Sequence, residues 1–499
     1  MSSQRPAMHA GAAVAEALRE EGVERVYSVP GSHIHPIYDG LSRVRSIRMV
    51  TCKQEPNVSL MADAYGRLTG KPGVCVVTAG PGCVNSMAGV AQAYGAASPM
   101  VHISGAVPLK ADLEAFHGVD DPAFVHEMFK KITKWSARIE RIEDIPEVLA
   151  KAFHIARSGR PGPVHVELPR FADYSEYILQ EAPAVLSAYQ VIPTKAAALD
   201  SEDVERCAKR LMESRAPVIA AGKGVIRKGA MAELAELRER APEKNILLFG
   251  FDDATNSRYR GEDQRVADPK LFLAGLLERL GDYRRPRDEA LIRMMGEGKA
   301  ALRASLAAQN APHRSAKPIY PGVLMDAMNA VLDDRAVVAS DVGNCQMWAR
   351  TFRRIATPES FMQSGVWNAM SYGLPTAIVA KMEFPGRDVV ALAGDGAFLM
   401  TIGDLPTAAE YGANILIVVL NDGAFGQTFM QQSNLYGHTY GTSFRSPDFA
   451  QIANACGAEG IRVSDPHEVE DGLRMGLAAT KMKPALVEVM VSRPPYPKL

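Results

Sequence analysis

Two apolar runs that each end in an acidic turn decide the fold: VVALAGDGA at 389–397 and ILIVVLNDGA at 415–424. An uninterrupted apolar run of this length is typical of a strand buried on both faces, as in a parallel sheet. The carboxyl ends of neighbouring parallel strands open on the same edge, where ligands bind. We therefore expect Asp395 and Asp422 to lie close together at that edge.

These turns have the composition of a metal and phosphate site. Carboxylate and carbonyl oxygens are the ligands that Mg²⁺ prefers, and the ion usually shares its shell with substrate phosphates. Gly394 and Gly396 let the backbone approach a phosphate closely. Either turn alone would be an ordinary loop after a strand, but the pair favours a metal–diphosphate site.

Strand and helix patterns alternate on both sides of these runs, which predicts an α/β fold with parallel sheets. Strands are expected at 25–29, 73–78, 100–104, 164–168, 336–340, 389–393, 415–420 and 485–489. Residues 186–315 offer only two strand candidates, at 218–221 and 245–249, and the rest of this segment is charged helix, including 269–280 and 288–308. We predict two doubly wound parallel-sheet domains, 1–185 and 316–499, that flank a reduced middle domain at 186–315.

Composition narrows the classes of partner and location. The 499 residues are 47% apolar, and 56 basic against 57 acidic side chains leave a net charge of −1. This balance argues against nucleic acid and membrane partners, so small molecules and other protein chains are expected. The six cysteines have no CxxC spacing and no signal peptide is expected, which together predict a cytoplasmic protein without a disulfide framework.

Further motifs carry a family resemblance. Glu55 is followed by ADAYGR at 62–67, TGKPGVC at 69–75, AGPG at 79–82, GRPGPV at 159–164, DVGNCQMW at 341–348 and GLPTA at 373–377. Together with the two acidic turns, they resemble the acetolactate synthase, benzaldehyde lyase and pyruvate oxidase group of thiamine-diphosphate enzymes. The likeness covers both outer domains.

The resemblance implies thiamine diphosphate and Mg²⁺ as cofactors, held where two subunits meet. The first domain would hold the aminopyrimidine ring and the last the diphosphate, so the protein is expected to be a homodimer or homotetramer. Glu55 matches the glutamate that hydrogen-bonds the pyrimidine, a task that needs a carboxyl group held away from water. Pro56 behind it also fits a surface helix start, but beside the other motifs we favour catalysis.

The remaining site residues follow from the same resemblance. Met370 matches an apolar wedge beneath the cofactor, although an isolated methionine is usually core packing. Asn368 occupies a position whose backbone carbonyl accepts from the 4′-amino group. The other expected cofactor contacts are Asn344, Cys345, Gly394, Asp395, Gly396, Ala397, Asp422, Ala424, Phe425 and Gly426, and the expected metal ligands are Asp395, Asp422 and Ala424. Cys345 departs from the histidine often found there.

Two histidines bear on proton handling. GSHI at 31–34 resembles benzaldehyde lyase, whose histidine at that place serves proton transfer, and His117 stands where many relatives carry glutamine. A histidine titrates near neutrality and can donate or accept a proton. We assign His33 and His117 a catalytic role, with a loop or interface role as the alternative.

The expected activity is carbon–carbon lyase or carboligase chemistry, acetolactate synthase-like, on a 2-oxo acid, aldehyde or 2-hydroxy ketone. Non-oxidative 2-oxo acid decarboxylation is the first alternative, and a non-catalytic cofactor-binding paralogue is the second. FAD is not expected, since the middle segment offers too few strands for a flavin cleft at a sheet edge.

Overall fold

The computed structural model describes residues 9–107, 117–119, 121, 123–169, 191–192, 200–214, 222, 224–225, 229–240, 268–286, 288–355 and 357–496. The chain divides into two compact units. The first takes in 1–156, 162–192 and 308–498, and the second takes in 157–161, 193–307 and the last residue. The boundaries predicted at 185 and 315 stay predictions.

The N-terminal half of the first unit is a parallel sheet of six strands in the order β2-β1-β3-β4-β6-β5. Its strands are β1 (Arg25–Ser28), β2 (Arg48–Thr51), β3 (Gly73–Val77), β4 (Met100–Ala106), β5 (Trp135–Arg138) and β6 (Pro163–Pro169). Its helices are α1 (Ala10–Glu20), α2 (His35–Arg43), α3 (Glu55–Thr69), α4 (Pro81–Ala96), α5 (Phe124–Phe129) and α6 (Ile145–Arg157). All of its strand pairs are parallel.

Helices make up the described part of the second unit and lead out of it. They are α7 (Ser201–Glu213), α8 (Met231–Arg240), α9 (Pro269–Leu280) and α10 (Glu289–Asn310). Asp200 and Asp268 cap α7 and α9 by accepting from backbone N–H groups of the first turn. Leucines and Phe272 of α9 form a small core with Val204 and Leu211. The strand candidates at 218–221 and 245–249 lie outside the described residues.

The C-terminal half of the first unit repeats the first sheet in its topology. Its strands are β7 (Val337–Ser340), β8 (Phe361–Gln363), β9 (Val389–Gly394), β10 (Leu416–Asn421), β11 (Glu459–Val463) and β12 (Ala485–Met490). Its helices are α11 (Pro321–Val331), α12 (Asn344–Phe352), α13 (Gly373–Glu383), α14 (Asp395–Leu399), α15 (Leu405–Glu410), α16 (Gly426–Tyr436), α17 (Phe449–Ala455) and α18 (Val469–Ala479). The strand order is β11-β12-β10-β9-β7-β8. When the strands are numbered 1 to 6 along the chain and read from the β8 edge, the order is 2-1-3-4-6-5, which is also the order in the first sheet.

One hydrophobic core joins the two sheets. Helices α3 and α13 pack on each other, and the core contains Tyr27 of the first sheet and Ile417 of the second. Polar contacts reinforce it: Asn57 Nδ2 donates to Asp404 Oδ2 at 2.5 Å, and Lys53 N donates to Asp404 Oδ1 at 2.8 Å. The two sheets are therefore one packed unit, and the predicted α/β class with two doubly wound parallel sheets is confirmed.

All eight strands predicted in the outer domains are present, and they are the interior strands of the two sheets. The four strands that the sequence did not predict are β2, β5, β8 and β11, which are the four edges. Within the described residues, no helix combines the length and the apolar content that crossing a bilayer requires. All six cysteines are free thiols.

Candidate functional site

A pocket of about 340 Å³ lies at the carboxyl ends of β7, β9 and β10. Strands β7 and β9 are neighbours, but the chain leaves β7 toward β8 and leaves β9 toward β10. Such a reversal opens a crevice at the sheet edge, which is where open α/β sheets bind ligands. The predicted residues that line the pocket are Asn344, Cys345, Met370, Gly394, Asp395, Gly396, Ala397, Asp422, Ala424, Phe425 and Gly426.

Asp395 is held rigidly at the end of β9. One carboxylate oxygen accepts from Gly396 N at 2.8 Å, and the other accepts from Gly423 N at 2.7 Å and from Ser446 Oγ at 2.8 Å. The side chain is buried, and burial raises the pKa of its carboxyl while these hydrogen bonds oppose the rise. The bond to Gly423 N also joins the ends of β9 and β10, as the sequence predicted.

Asp422 places a second carboxyl beside the first. Its Oδ1 accepts from Ala424 N at 3.1 Å in a turn that Gly423 makes with a φ of 68°, a left-handed conformation that favours glycine. Burial, together with the charge of Asp395, raises the pKa of Asp422 to about 7, and Arg493 opposes the rise. A buried carboxyl and a half-buried one at the same pocket fit a divalent cation, which would compensate their negative charge.

The other wall of the pocket fits an anion. Helices α12 and α16 both begin there, at Asn344 and Gly426, and neither has a side-chain cap. Helix N-termini of this kind bind phosphate groups through backbone N–H groups and the helix dipole. Thr442 lines the pocket, and its Oγ1 is buried without a hydrogen-bond partner among the described residues, which is consistent with a polar ligand there.

Gly426 brings the two walls together. A Cβ at this position would come within 2.5 Å of Asn344 Nδ2 and of Asp422 Oδ2. No larger residue fits without displacing one of these groups. The glycine therefore lets the acidic turn and the start of α12 approach each other.

Asn344 and Cys345 face inward from the first turn of α12. Asn344 Oδ1 accepts from Tyr496 OH at 2.5 Å, and Cys345 Sγ donates to the Asp341 carbonyl oxygen at 3.4 Å. Burial raises the pKa of the Cys345 thiol to about 12, so the thiol is neutral. Met370 lines the pocket, whereas Asn368 is exposed and outside its lining. The predicted backbone contact of Asn368 stays a prediction.

Glu55, His33 and His117 lie in the first sheet's half and do not line this pocket. Glu55 is the first residue of α3, and its Oε2 accepts from Asn85 Nδ2 at 3.3 Å. The His33 and His117 rings stack with centroids 5.0 Å apart at an angle of 26°. A Cβ on Gly80 would lie 2.3 Å from the His117 carbonyl oxygen, and His117 itself has a φ of 67°. The chain thus holds its predicted site residues in two groups, one at each sheet.

Sequence reasoning missed several side chains of the site. They are Thr442, Ser446, Arg493 and Tyr496. Arg493 lies just beyond β12, the neighbour of β10 in the sheet, so its place after a predicted strand end was an available signal. Thr442 and Ser446 come from a loop after α16 that carries no periodic pattern.

Comparison with known proteins agrees with the pocket. Residues 8–126 match the thiamine pyrophosphate enzyme N-terminal TPP binding domain, and residues 341–489 match the C-terminal TPP binding domain of the same enzymes. A probable acetolactate synthase large subunit of Methanocaldococcus jannaschii is 29% identical over 97% of this chain and 92% of its own length. The acetolactate synthase isozyme 1 large subunit of Escherichia coli K12 is 28% identical over 95% of this chain and 92% of its own length. The matched domains take in more than half of the chain, which belongs to the thiamine pyrophosphate enzymes, in the group that contains acetolactate synthase.

Proposed function

We propose that this protein is a Mg²⁺-dependent carboligase or lyase that makes or cleaves a carbon–carbon bond next to a carbonyl group. Its substrates would be a 2-oxo acid, an aldehyde or a 2-hydroxy ketone. The observation that carries the proposal is the pocket in which the acidic pair Asp395 and Asp422 faces two uncapped helix N-termini. The names of the relatives, acetolactate synthase large subunits, support the substrate class.

Different residues of the pocket would bind different parts of the cofactor. Asp395, Asp422 and the carbonyl group of Ala424 would hold Mg²⁺, and the starts of α12 and α16 would hold the diphosphate. Met370, 39% exposed in this chain, would offer an apolar side chain to the bound cofactor. The bound cofactor supplies an electron sink for the carbanion, and the protein supplies orientation and proton handling.

The second group of residues would reach this pocket from another copy of the chain. Glu55 and the stacked pair His33 and His117 lie at the first sheet, whose topology repeats that of the second. A homodimer or homotetramer that pairs the two sheet edges would put a carboxyl at the pyrimidine and two imidazoles near the reacting carbonyl. Each imidazole can then give a proton to an alkoxide or take one from it.

Two reactions of a 2-oxo acid are open to such a site, and they differ in the acceptor. Transfer of the acyl group to an aldehyde or a second oxo acid would be carboligation, and transfer of a proton instead would give simple decarboxylation to an aldehyde. We favour carboligation because the relatives named above are synthases. Non-oxidative decarboxylation is the second candidate, favoured by the two histidines as proton donors.

A product assay distinguishes them. The purified protein, loaded with thiamine diphosphate and Mg²⁺, is given pyruvate or benzoylformate with and without an acceptor aldehyde, and separately benzoin or acetoin. Release of CO₂ with formation of a hydroxy ketone or acetohydroxy acid is the expected result. Stoichiometric free aldehyde from the oxo acid, unaffected by the acceptor, would favour decarboxylation. No turnover of any of these by protein that binds the cofactor would contradict the proposed substrate class.

A further inference from the structure

A polar cluster interrupts the apolar interior beneath the first sheet, away from the cofactor pocket. Its side chains come from β4, β6 and α4 and are fully buried: Cys83, Ser86, His102, Ser104 and His165. Burying so many polar groups is costly unless each has a partner. No local sequence pattern predicted the cluster, because its members are scattered along the chain.

The fold brings three metal-ligating side chains of this cluster together. His102 and His165 are register partners on adjacent strands, with ring centroids 5.2 Å apart. Cys83 Sγ lies 4.0 Å from His165 Nε2. One ligand atom from each of the three residues lies within 4.8 Å of the other two. The three ligand atoms would have to move only slightly closer together to reach the separations found around one bound metal ion.

Hydrogen bonding leaves one imidazole nitrogen in need of a partner. Ser86 Oγ lies 2.6 Å from the Cys83 carbonyl oxygen and 2.7 Å from His102 Nε2. His102 Nδ1 is buried and has no hydrogen-bond partner among the described residues. Both rings are fully buried, and burial favours the neutral form of an imidazole, which carries one lone pair.

The neighbouring groups fix the two rings in place. Ser136 Oγ lies 3.0 Å from His165 Nδ1, and Ser104 Oγ lies 2.9 Å from Nε2, the nitrogen on the side of Cys83. A metal ion at Nε2 would displace the Ser104 contact. The ring of Phe129 stacks on both imidazoles, with centroids 4.8 Å from His102 and 4.2 Å from His165. Outer contacts that orient a histidine ring in this way are typical of metal sites.

We propose that Cys83, His102 and His165 form a buried binding site for a thiophilic transition-metal ion, Zn²⁺ or Cu⁺. One sulfur and two imidazole nitrogens are the donor set that these ions prefer over Mg²⁺. The ion would tie α4 to β4 and β6, and it would have to be loaded while the chain folds, since all three ligands are buried. Its role is structural and independent of the cofactor chemistry.

The two candidate ions would leave the site with different net charges. Metal binding would release the thiol proton of Cys83 to solvent. The resulting thiolate with two neutral imidazoles carries one negative charge, so Cu⁺ would leave the site neutral and Zn²⁺ would leave one positive charge. Glu167 is a buried carboxyl two residues along β6, and Arg138 Nη1 lies 3.5 Å from its Oε2. The metal content of the protein decides which ion is bound.

The test is the metal content of full-length protein from cells grown with added zinc or copper and purified without chelator. About one equivalent of metal per chain is expected in the parent, and Cys83→Ala should reduce it at least about tenfold. Cys52→Ala, which removes a buried thiol that contacts Met61 instead of an imidazole, should keep it. Asp395→Ala should also keep it, because this metal is not in the cofactor pocket.

Cobalt provides a readout that needs no variant. Parent protein expressed with Co²⁺ should show the near-ultraviolet charge-transfer absorption of a cobalt–thiolate bond. A parent protein with neither bound transition metal nor this absorption would overturn the proposal. So would metal that is lost in Asp395→Ala and kept in Cys83→Ala.

Discussion

Arg493 holds Asp422 from two sides: its Nη2 donates to the Asp422 carbonyl oxygen at 2.7 Å, and its Nε lies 3.7 Å from the carboxylate Oδ2. The guanidinium also lies over the Phe429 ring, 4.4 Å from its centroid. Asp422 brings a second carboxyl, beside that of Asp395, into the pocket. Arg493 supplies a counter-charge for it.

Removing this counter-charge should weaken cofactor binding when Mg²⁺ is limiting. We expect Arg493→Met, which keeps a long apolar side chain against Phe429, to reduce the affinity for thiamine diphosphate about tenfold, the equivalent of about 1.4 kcal/mol. Saturating Mg²⁺ should restore most of the lost affinity for thiamine diphosphate. The double variant Asp422→Asn/Arg493→Met should bind like the parent, and equal losses in the single and double variants would show that Arg493 acts through something other than Asp422.

The two acidic residues of the pocket should differ in importance. Asp395→Ala should abolish retention of thiamine diphosphate, because it removes a proposed Mg²⁺ ligand and the acceptor of three hydrogen bonds. Asp422→Asn should keep activity, because the amide retains an oxygen for the metal. Titration of each variant with cofactor at fixed Mg²⁺ measures both effects. Parent-like binding by Asp395→Ala would mean that the metal site is elsewhere.

Glu55→Gln should keep the fold and cofactor binding but lose at least about a hundredfold in turnover, since the amide cannot relay a proton to the pyrimidine ring. The matched control is Glu410→Gln, an exposed carboxylate paired with Lys53. The steady-state rates of both variants are compared with that of the parent, and circular dichroism verifies that each variant is folded. A near-parent rate in Glu55→Gln would contradict the role assigned to this residue.

The buried carboxyl of Asp341 should make stability depend on pH. Burial raises its pKa to about 6, against its ordinary 3.8, although Val342 N and Gly373 N donate to it. The folded state therefore binds the proton more tightly, and this contribution is complete below about pH 4 and lost as the pH rises through about 6. The two-unit difference corresponds to about 3 kcal/mol at most. Denaturant unfolding of parent and Asp341→Asn between these pH values should show a slope that only the parent has.

The protein should be purified without flavin. The basis is the sequence alone: the middle segment has two strand candidates, and both lie outside the described residues. The visible spectrum of fresh protein should lack a stoichiometric band near about 450 nm, which a bound flavin would show. Such a band, with flavin released on denaturation, would bring an oxidase reaction back into consideration.

Burial explains which strands the sequence could predict. Interior strands such as β9 and β10 are covered on both faces, and their sequences are continuous apolar runs that stand out. Edge strands lack this constraint: β2 contains the exposed Arg48, and β11 contains Glu459 and the exposed Arg462. Their pairing depends on the rest of the sheet, which no local pattern encodes.

The pocket residues were predictable for a related reason. Asp395 and Asp422 directly follow interior strands, so locating those strands also locates the residues. Thr442 and Ser446 reach the pocket from an irregular loop that pairs with the acidic turn through Ala424 and Ser443. The cluster of Cys83, His102 and His165 depends on strand register, which is a property of the folded sheet.

The core shared by the two sheets sets the order in which the chain can fold. Tyr27 and Val50 are buried in the same cluster as Ile417 and Leu486. The core that the first sheet shares is therefore complete only after the last segments of the chain have been synthesised. Such long-range contacts slow folding and leave an apolar surface exposed on the nascent chain. The cost of closing the loop between the halves grows only with the logarithm of its length. The segment between the two sheets can therefore shrink or grow during evolution with little effect on the stability of the unit that carries the cofactor pocket.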